Sequence, residues 1–269
     1  MVTVVDAANF FRDFGSPELL TDRDLTDIAG DDRTIVNLLT DQVEFANVIV
    51  LNKVDLVDAD HLGILRSTLK KLNPGARIVE TNFSEVDPKS ILHTGLFDFE
   101  EAEESAGWIA ELNKEEHTPE TEEYGIGSFV FRSSLPFHPE RFWAYFHDRF
   151  PANIIRSKGL FWIASRPDQA LIWGQAGGSI RTDSAGVWWA SMSFGERADS
   201  MVFLENQKDI EANWDPLFGD RKVELVFIGQ HLDEAGIRRD LEACLVKTED
   251  LPFNWMSGYP DAWPVERTS

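Results

Sequence analysis

A chain of 269 residues, 43% of them hydrophobic, is long enough for a sizeable core and for two domains of ordinary size. Its formal net charge of −22 excludes general attraction to nucleic acid or to an anionic membrane surface. The single cysteine, Cys244, excludes an intrachain disulfide and a thiolate metal cluster. No window approaches the roughly 18 apolar residues of a membrane span, and Met1–Asp6 lacks the basic start of a signal peptide, so a cytoplasmic protein is the default expectation.

In chain order, Val2-Thr3-Val4-Val5 is a short β-branched run that predicts a strand. Residues 33–45 then place Ile35, Leu38, Leu39 and Val43 on one helical face. Residues 47–51 form a second apolar run with no polar alternation, as expected of a strand covered on both sides. Asp58 is positioned to cap a helix carrying Leu62, Leu65, Leu69 and Leu72, which Asn73-Pro74-Gly75 stops. Ala76-Arg77-Ile78-Val79 resumes as strand, and the βαβα rhythm predicts a parallel sheet with helices on both faces.

Residues 98–123 are densely acidic and read as a solvated helix and linker, with a domain boundary near residues 113–124. His117 lies within them, but the stretch has no fixed metal-ligand spacing. All nine Trp lie at or after Trp108, so the second half differs in character from the first. There, residues 126–132 alternate as a strand, Pro139 opens a helix, and further strands are expected around 161–164, 170–173, 186–189 and 223–228. Asp233 then caps a closing helix with Ile237, Leu241, Cys244 and Leu245 on one face. Strands with helices between them suggest an α+β sheet covered on one side. Cys244 reads as core, and His138 and His147 are too isolated to read as ligands. For Arg156 and Lys158 two readings stay open: contact with a nucleotide, the first domain or a client, or a solvated strand-end pair.

The chemistry-bearing feature is VIVLNKVDL, residues 48–56. In an open parallel sheet ligands bind outside the carboxyl ends of the strands, and there the run delivers Asn52, Lys53 and Asp55. An Asn amide both gives and accepts hydrogen bonds at a base edge, while a carboxylate accepts two parallel N–H bonds from an edge such as that of guanine. Adenine has no such paired donor edge and would leave the charge unpaired. The lysine stem can lie across the ring. The sequence matches the N-K-x-D guanine-recognition element of GTPases; the plainer alternative is a polar turn with Asp55 or Asp58 capping the next helix, and both can hold at once.

Beyond this element, VVDAANF, QVEFANVIVLNKVDLV, LNPGARIVET, HTPETEEYGIGSFVFRSSLPFHPERF, IIRSKGLFWIASRPDQALIWGQAGG and RKVELVFIGQHLD resemble successive segments of the CobW family of metallochaperone GTPases. The resemblance implies a P-loop-type G domain followed by an α+β CobW C-terminal domain. It also implies GTP binding and hydrolysis coupled to delivery of zinc or cobalt to a client metalloprotein, with Asn52, Lys53 and Asp55 reading guanine. Family members carry a G-x-x-x-x-G-K-[ST] phosphate loop, a C-x-C-C metal motif and the acidic residue that organises magnesium upstream of the VVDA-like strand. None of these occurs in the 269 residues, so the resemblance points to the carboxyl-terminal portion of such a protein, whether a fragment, a truncated product or a late start.

On this reading residues 1–112 are a partial G domain, 113–123 an acidic linker, 124–250 the C-terminal domain and 251–269 a tail. Catalytic and metal-binding residues are not expected, GTP binding would be weak, and the chain alone would be inactive, because nothing in it positions a γ-phosphate. The rival expectation is a non-enzymatic module around residues 124–250 that binds a client or regulatory partner without nucleotide. An independent hydrolase finds no nucleophile–base pair in the spacing.

Overall fold

A computed structural model describes residues 1–28, 31, 33–97, 123–247, 259–261 and 263. The acidic stretch 98–122, including His117, and most of the segment read as a tail lie outside the described residues.

Strands β1 (Val2–Asp6), β2 (Val48–Asn52) and β3 (Arg77–Thr81) form a parallel sheet in that order. Val48 to Leu51 of β2 are all buried, which is why this central strand shows no polar alternation. The register pairs Asp6 with Asn52 and Asn52 with Thr81, so the three strands end on one row, each with a polar residue. Three helices accompany the sheet: α1 (Phe10–Phe14), α2 (Ile35–Glu44) and α3 (Ala59–Leu72). They gather against the face that carries Val5, Ile49 and Leu51. On the opposite face Val48 and Val50 of the central strand are buried as well, while Val4 of β1 is exposed.

Local signals set the helix ends. Thr34 accepts the Asn37 N–H at 3.3 Å, and the Asn37 side chain answers by accepting the Thr34 N–H at 3.1 Å. Asp58 accepts the His61 N–H at 2.8 Å, the cap expected from the sequence, of a kind whose loss costs about 1 kcal/mol. Asn73 does more than end α3. Its buried amide donates to the carbonyls of Val43, Glu44 and Ala46, the orphaned end of α2, and its oxygen accepts the Ala76 N–H at 3.0 Å.

An antiparallel sheet forms the second unit, in the order β4 (Ile126–Ser133), β8 (Val223–Gln230), β5 (Ile154–Phe161), β6 (Gln169–Ala176), β7 (Ser179–Val187). Helices α4 (Pro139–Asp148) and α7 (Glu234–Cys244) pack on one face, over a core that includes Phe129, Phe161, Leu171, Trp173 and Phe227. Alternation then turns Val130, Val226 and Ile228 to the other face, where they join the cluster formed by Leu65 and Leu69 of α3 and Val36 of α2. Helices α2 and α3 thus lie between two sheets, and each needs two buried faces. On α2 the buried residues are Ile35, Val36, Thr40, Val43 and Glu44, while Leu38 and Leu39, expected on the apolar face, are half-buried. The buried threonines satisfy themselves locally: Thr40 donates to the Val36 carbonyl and Thr68 to that of Ile64, both at 2.8 Å.

Two glycines permit the close approach of the units. A Cβ on Gly63 of α3 would sit 2.2 Å from the Tyr124 ring, and one on Gly177, in the β6–β7 turn at φ +51°, would sit 2.1 Å from the Phe14 carbonyl oxygen.

Three expectations for the second half need correction. The apolar run 161–164 is not a strand of its own: Phe161 ends β5, and Trp162-Ile163-Ala164 is a buried turn. Its backbone meets Phe137, through Phe137 N–H to the Trp162 carbonyl and Ala164 N–H to the Phe137 carbonyl, each at 3.0 Å. Of the strand expected at 186–189, only Gly186 and Val187 are strand, the end of β7, which starts at Ser179 and whose exposed residues leave no apolar run to read; Trp188 and Trp189 lead into a 3-10 turn. Lastly, part of the segment read as a tail is packed. Asp261 pairs with Arg166 at 2.5 Å, and Trp263 is buried in the core, stacked 5.6 Å from Phe142 with its indole N–H donating to the Pro139 carbonyl.

Candidate functional site

The row of strand ends carries the site. Asn52 closes β2, and its side chain grips the loop after β3: Oδ1 accepts the Ser84 N–H and Nδ2 donates to Ser84 Oγ, both at 2.9 Å. One amide N–H and one oxygen lone pair of Asn52 stay outside these bonds. Lys53 follows in the left-handed conformation, φ 62°, and its ammonium donates to Asp6 Oδ2 at 2.7 Å. The chain then makes one tight turn, and the Asp55 backbone N–H donates to Asn82 Oδ1 at 3.1 Å. The Asp55 carboxylate is exposed and carries no hydrogen bond or ion pair among the described residues.

Asp6 organises the neighbouring loop. Its carboxylate accepts the N–H groups of Ala8 and Asn9 and the Asn9 amide. Partial burial would raise its pKa, but the hydrogen bonds from Lys53 and Asn9 outweigh this and hold the carboxyl below the usual range. Asp6 is thus ionised at neutral pH and fixes the lysine stem.

Spacing alone pointed to Asn52, Lys53 and Asp55, and the fold brings them to one edge together with three residues it did not flag: Asp6, Asn82 and Ser84. Their signal was there in part, since each ends or follows an apolar strand run. Lys53, Phe83 and Ser84 are all non-glycine residues at positive φ, a costly conformation that clusters at functional sites.

Arg156 and Lys158 lie elsewhere. Arg156 is buried at the junction of the units, where Nε donates to Glu44 Oε1 of α2 at 2.7 Å and Nη1 to the Gln175 carbonyl at 3.0 Å. Lys158 stands 3.8 Å from Glu44 Oε2, and burial pushes its ammonium below its ordinary pKa against the pull of Glu44. Of the two open readings, contact with the first unit is the one realised. Cys244 is core, as expected. Burial pushes its thiol up to about 11, so it stays protonated at neutral pH. His138 caps α4 and His147 bonds the Trp143 carbonyl. Among the described residues no cluster of three or more His, Cys, Asp or Glu could hold a metal ion, and no helix is long and apolar enough to cross a membrane.

A parallel α/β unit whose carboxyl edge carries Asn52, Lys53 and Asp55 is thus fused to an antiparallel α+β unit. Residues 1–80 match the CobW/HypB/UreG nucleotide-binding domain, and residues 126–245 match the cobalamin synthesis protein cobW C-terminal domain. The chain belongs to the CobW family. It is 41% identical over 254 residues to the zinc-regulated GTPase metalloprotein activator 1 of Dictyostelium discoideum, covering 93% of this chain and 52% of that one. It is 29% identical over 265 residues to a zinc chaperone of Mycobacterium tuberculosis, covering 96% and 59%. The chain therefore spans between half and three-fifths of these relatives' length. The Zn(II)-bound YjiA GTPase of E. coli is a more distant likeness, 18% identical with a TM-score of 0.37 over 91% of this chain and 60% of that one.

Proposed function

We propose that this chain supplies the guanine-reading edge and the C-terminal domain of a GTP-dependent metallochaperone that delivers zinc to a client metalloprotein. The single observation that carries the guanine reading is Asp55, whose exposed carboxylate has no hydrogen-bond or ion-pair partner among the described residues and whose backbone N–H is held by Asn82 at the carboxyl edge of the sheet. Guanine offers two adjacent N–H donors, at N1 and N2, that match one carboxylate. Asn52 has one N–H and one lone pair to spare for the base, and its hold on Ser84 fixes the loop beside it. Lys53, tethered to Asp6, gives its stem to one face of the ring. Phe83, 85% exposed in the same loop, offers an aromatic surface near the base.

The zinc assignment rests on the names of the two relatives. Metal is cargo in this reading. The 269 residues contain no phosphate loop, so no hydrolytic step is assigned to them, and the chain by itself is expected to bind guanine nucleotide weakly without turning it over. The domain limits proposed are a nucleotide unit up to about residue 112, an acidic linker, and a C-terminal domain from residue 124 that takes in Trp263.

The test is a titration of the chain with GDP and ADP, for wild type and Asp55→Ala. Hydrogen bonds to a charged group contribute about 1.5–3 kcal/mol, so wild type should prefer GDP by about ten- to a hundred-fold. The variant should bind the two about equally while keeping its thermal midpoint, since Asp55 is exposed. Equal binding of GDP and ADP by wild type contradicts the assignment, and so does an unchanged preference in the variant.

A further inference from the structure

Five of the nine large exposed apolar residues in 123–247 lie in one stretch, residues 194–217, between β7 and β8. It contains helices α5 (Phe194–Ala198) and α6 (Met201–Ala212). Phe203 is the one fully buried side chain of α6. Ile210 is half-buried behind the helix, but three other apolar residues turn outward: Met201 is 68% exposed, Val202 60% and Leu204 48%, flanked by Phe194 at 80% and Leu217 at 79%. An ordinary surface helix does the reverse and hides its apolar stripe. Exposed apolar side chains gathered in one short stretch point to an interaction site.

The charges around the patch decide what fits it. Residues 194–217 hold six carboxylates and two cations, Arg197 and Lys208. Arg197 is drawn inward, its guanidinium stacked 5.1 Å from the Trp214 ring and 5.9 Å from Phe203. Asp199, Glu205 and Asp209 are exposed, with carboxylates that make no hydrogen bond or ion pair among the described residues. On α6, Val202, Glu205 and Asp209 follow one another at helical spacing, so two carboxylates line one side of the apolar ridge, with the exposed Lys208 beyond Leu204 on the other. Behind the helix a cleft of about 860 Å³ opens toward β4 and β8, lined by Trp189, Ile210 and Trp214 and bordered by Asp209. The nearby cations Arg132 and Lys222 are already paired with Glu224, at 3.0 and 2.7 Å. A second copy of this chain would bring the same carboxylates, and another net charge of −22, against the patch.

We infer that α5 and α6 are the docking surface for a protein partner of opposite charge: a segment with apolar side chains that cover Phe194, Met201, Val202 and Leu204, flanked by lysine or arginine that pair with Glu205 and Asp209. The inference is independent of the guanine reading and stands or falls without it.

The probes are two fluorescent helical peptides with the same leucine stripe at i, i+3, i+4, i+7 spacing, one with lysine flanks and one with glutamate flanks, titrated against the full chain. The lysine peptide should bind saturably and at least tenfold more tightly than the glutamate peptide. Phe194→Ser with Leu204→Ser should weaken it at least tenfold, as should Glu205→Lys with Asp209→Lys. Ile172→Ser with Ile180→Ser, exposed apolar positions on β6 and β7, should leave it unchanged. All variants should keep the wild-type circular dichroism, because every substituted residue is exposed. Three results would overturn the inference: no binding of the lysine peptide, binding insensitive to the α5–α6 variants, or a concentration-dependent dimer in sedimentation that those variants abolish, which would make a second copy the occupant.

Discussion

Arg156→Ala should destabilise the protein by about 3–5 kcal/mol, the range for removing one partner of a buried ion pair. Glu44 is only 3% exposed, and its carboxylate takes a 2.7 Å bond from Arg156 Nε and a 3.4 Å bond from Nη2. Removing the guanidinium strands that charge in the interior, with Lys158 at 3.8 Å as its nearest remaining cation. It also leaves the Gln175 carbonyl without the 3.0 Å bond from Nη1. Arg156→Lys should recover little, because one ammonium cannot reach both carboxylate oxygens and the carbonyl. The sign reverses for the double replacement. Glu44→Leu with Arg156→Met removes both charges and should cost less than either single change, as buried pairs exchanged for apolar side chains of similar volume commonly do. Urea unfolding of wild type, Glu44→Leu, Arg156→Met and the double variant closes the cycle; single changes that cost under about 1 kcal/mol would show that the pair is hydrated in solution.

A second large loss is expected at the far end of the chain. Trp263→Ala should cost about 3–5 kcal/mol, the usual range for deleting a large aromatic from a packed core. Trp263 packs on Phe142, Trp143 and Phe161 at 5.3–5.6 Å, and its backbone carbonyl accepts a 3.0 Å bond from Arg166. The neighbouring Asp261 is the partner of buried Arg166. A thermal midpoint within about 2 °C of wild type would mean that these residues do not pack in solution, because a loss of this size should lower it by several degrees in a chain of this length.

The sequence was most legible where one residue type does one job. Asp58 had to cap a helix, β2 had to be buried on both faces, and N-K-x-D had to lie at its end; each is a short-range pattern with a local cause. What escaped reading depends on distance or on exception. Nothing in the vicinity of Arg156 names Glu44, 112 residues away, as its partner. Asn82 and Ser84 sit in a polar loop whose role appears only when β2 and β3 are in register. Trp162-Ile163-Ala164 is apolar because it is buried, not because it is a strand. Helix α6 shows no ordinary stripe, since Met201, Val202 and Leu204 face outward while only Phe203 is buried, and that departure from helical patterning is what marks the surface as one meant to be covered.

If Asp55 reads the base, its chemistry can be exchanged. Guanine presents two donors, N1–H and the 2-amino group, to the carboxylate; xanthine presents one donor, N1–H, and one acceptor, the 2-oxo group. An Asn amide carries a matching acceptor and donor in the same shape. Asp55→Asn keeps the backbone bond to Asn82 and alters only the exposed side chain. The decisive measurement is the ratio of GDP to XDP affinity for wild type and this variant under one set of conditions. The ratio should favour GDP in wild type, where the 2-oxo group would face a carboxylate, and should invert in Asp55→Asn, a change of about a hundred-fold or more if each matched bond contributes on the order of 1.5 kcal/mol or more. A ratio that does not move between the two proteins would contradict guanine recognition at this edge of the sheet.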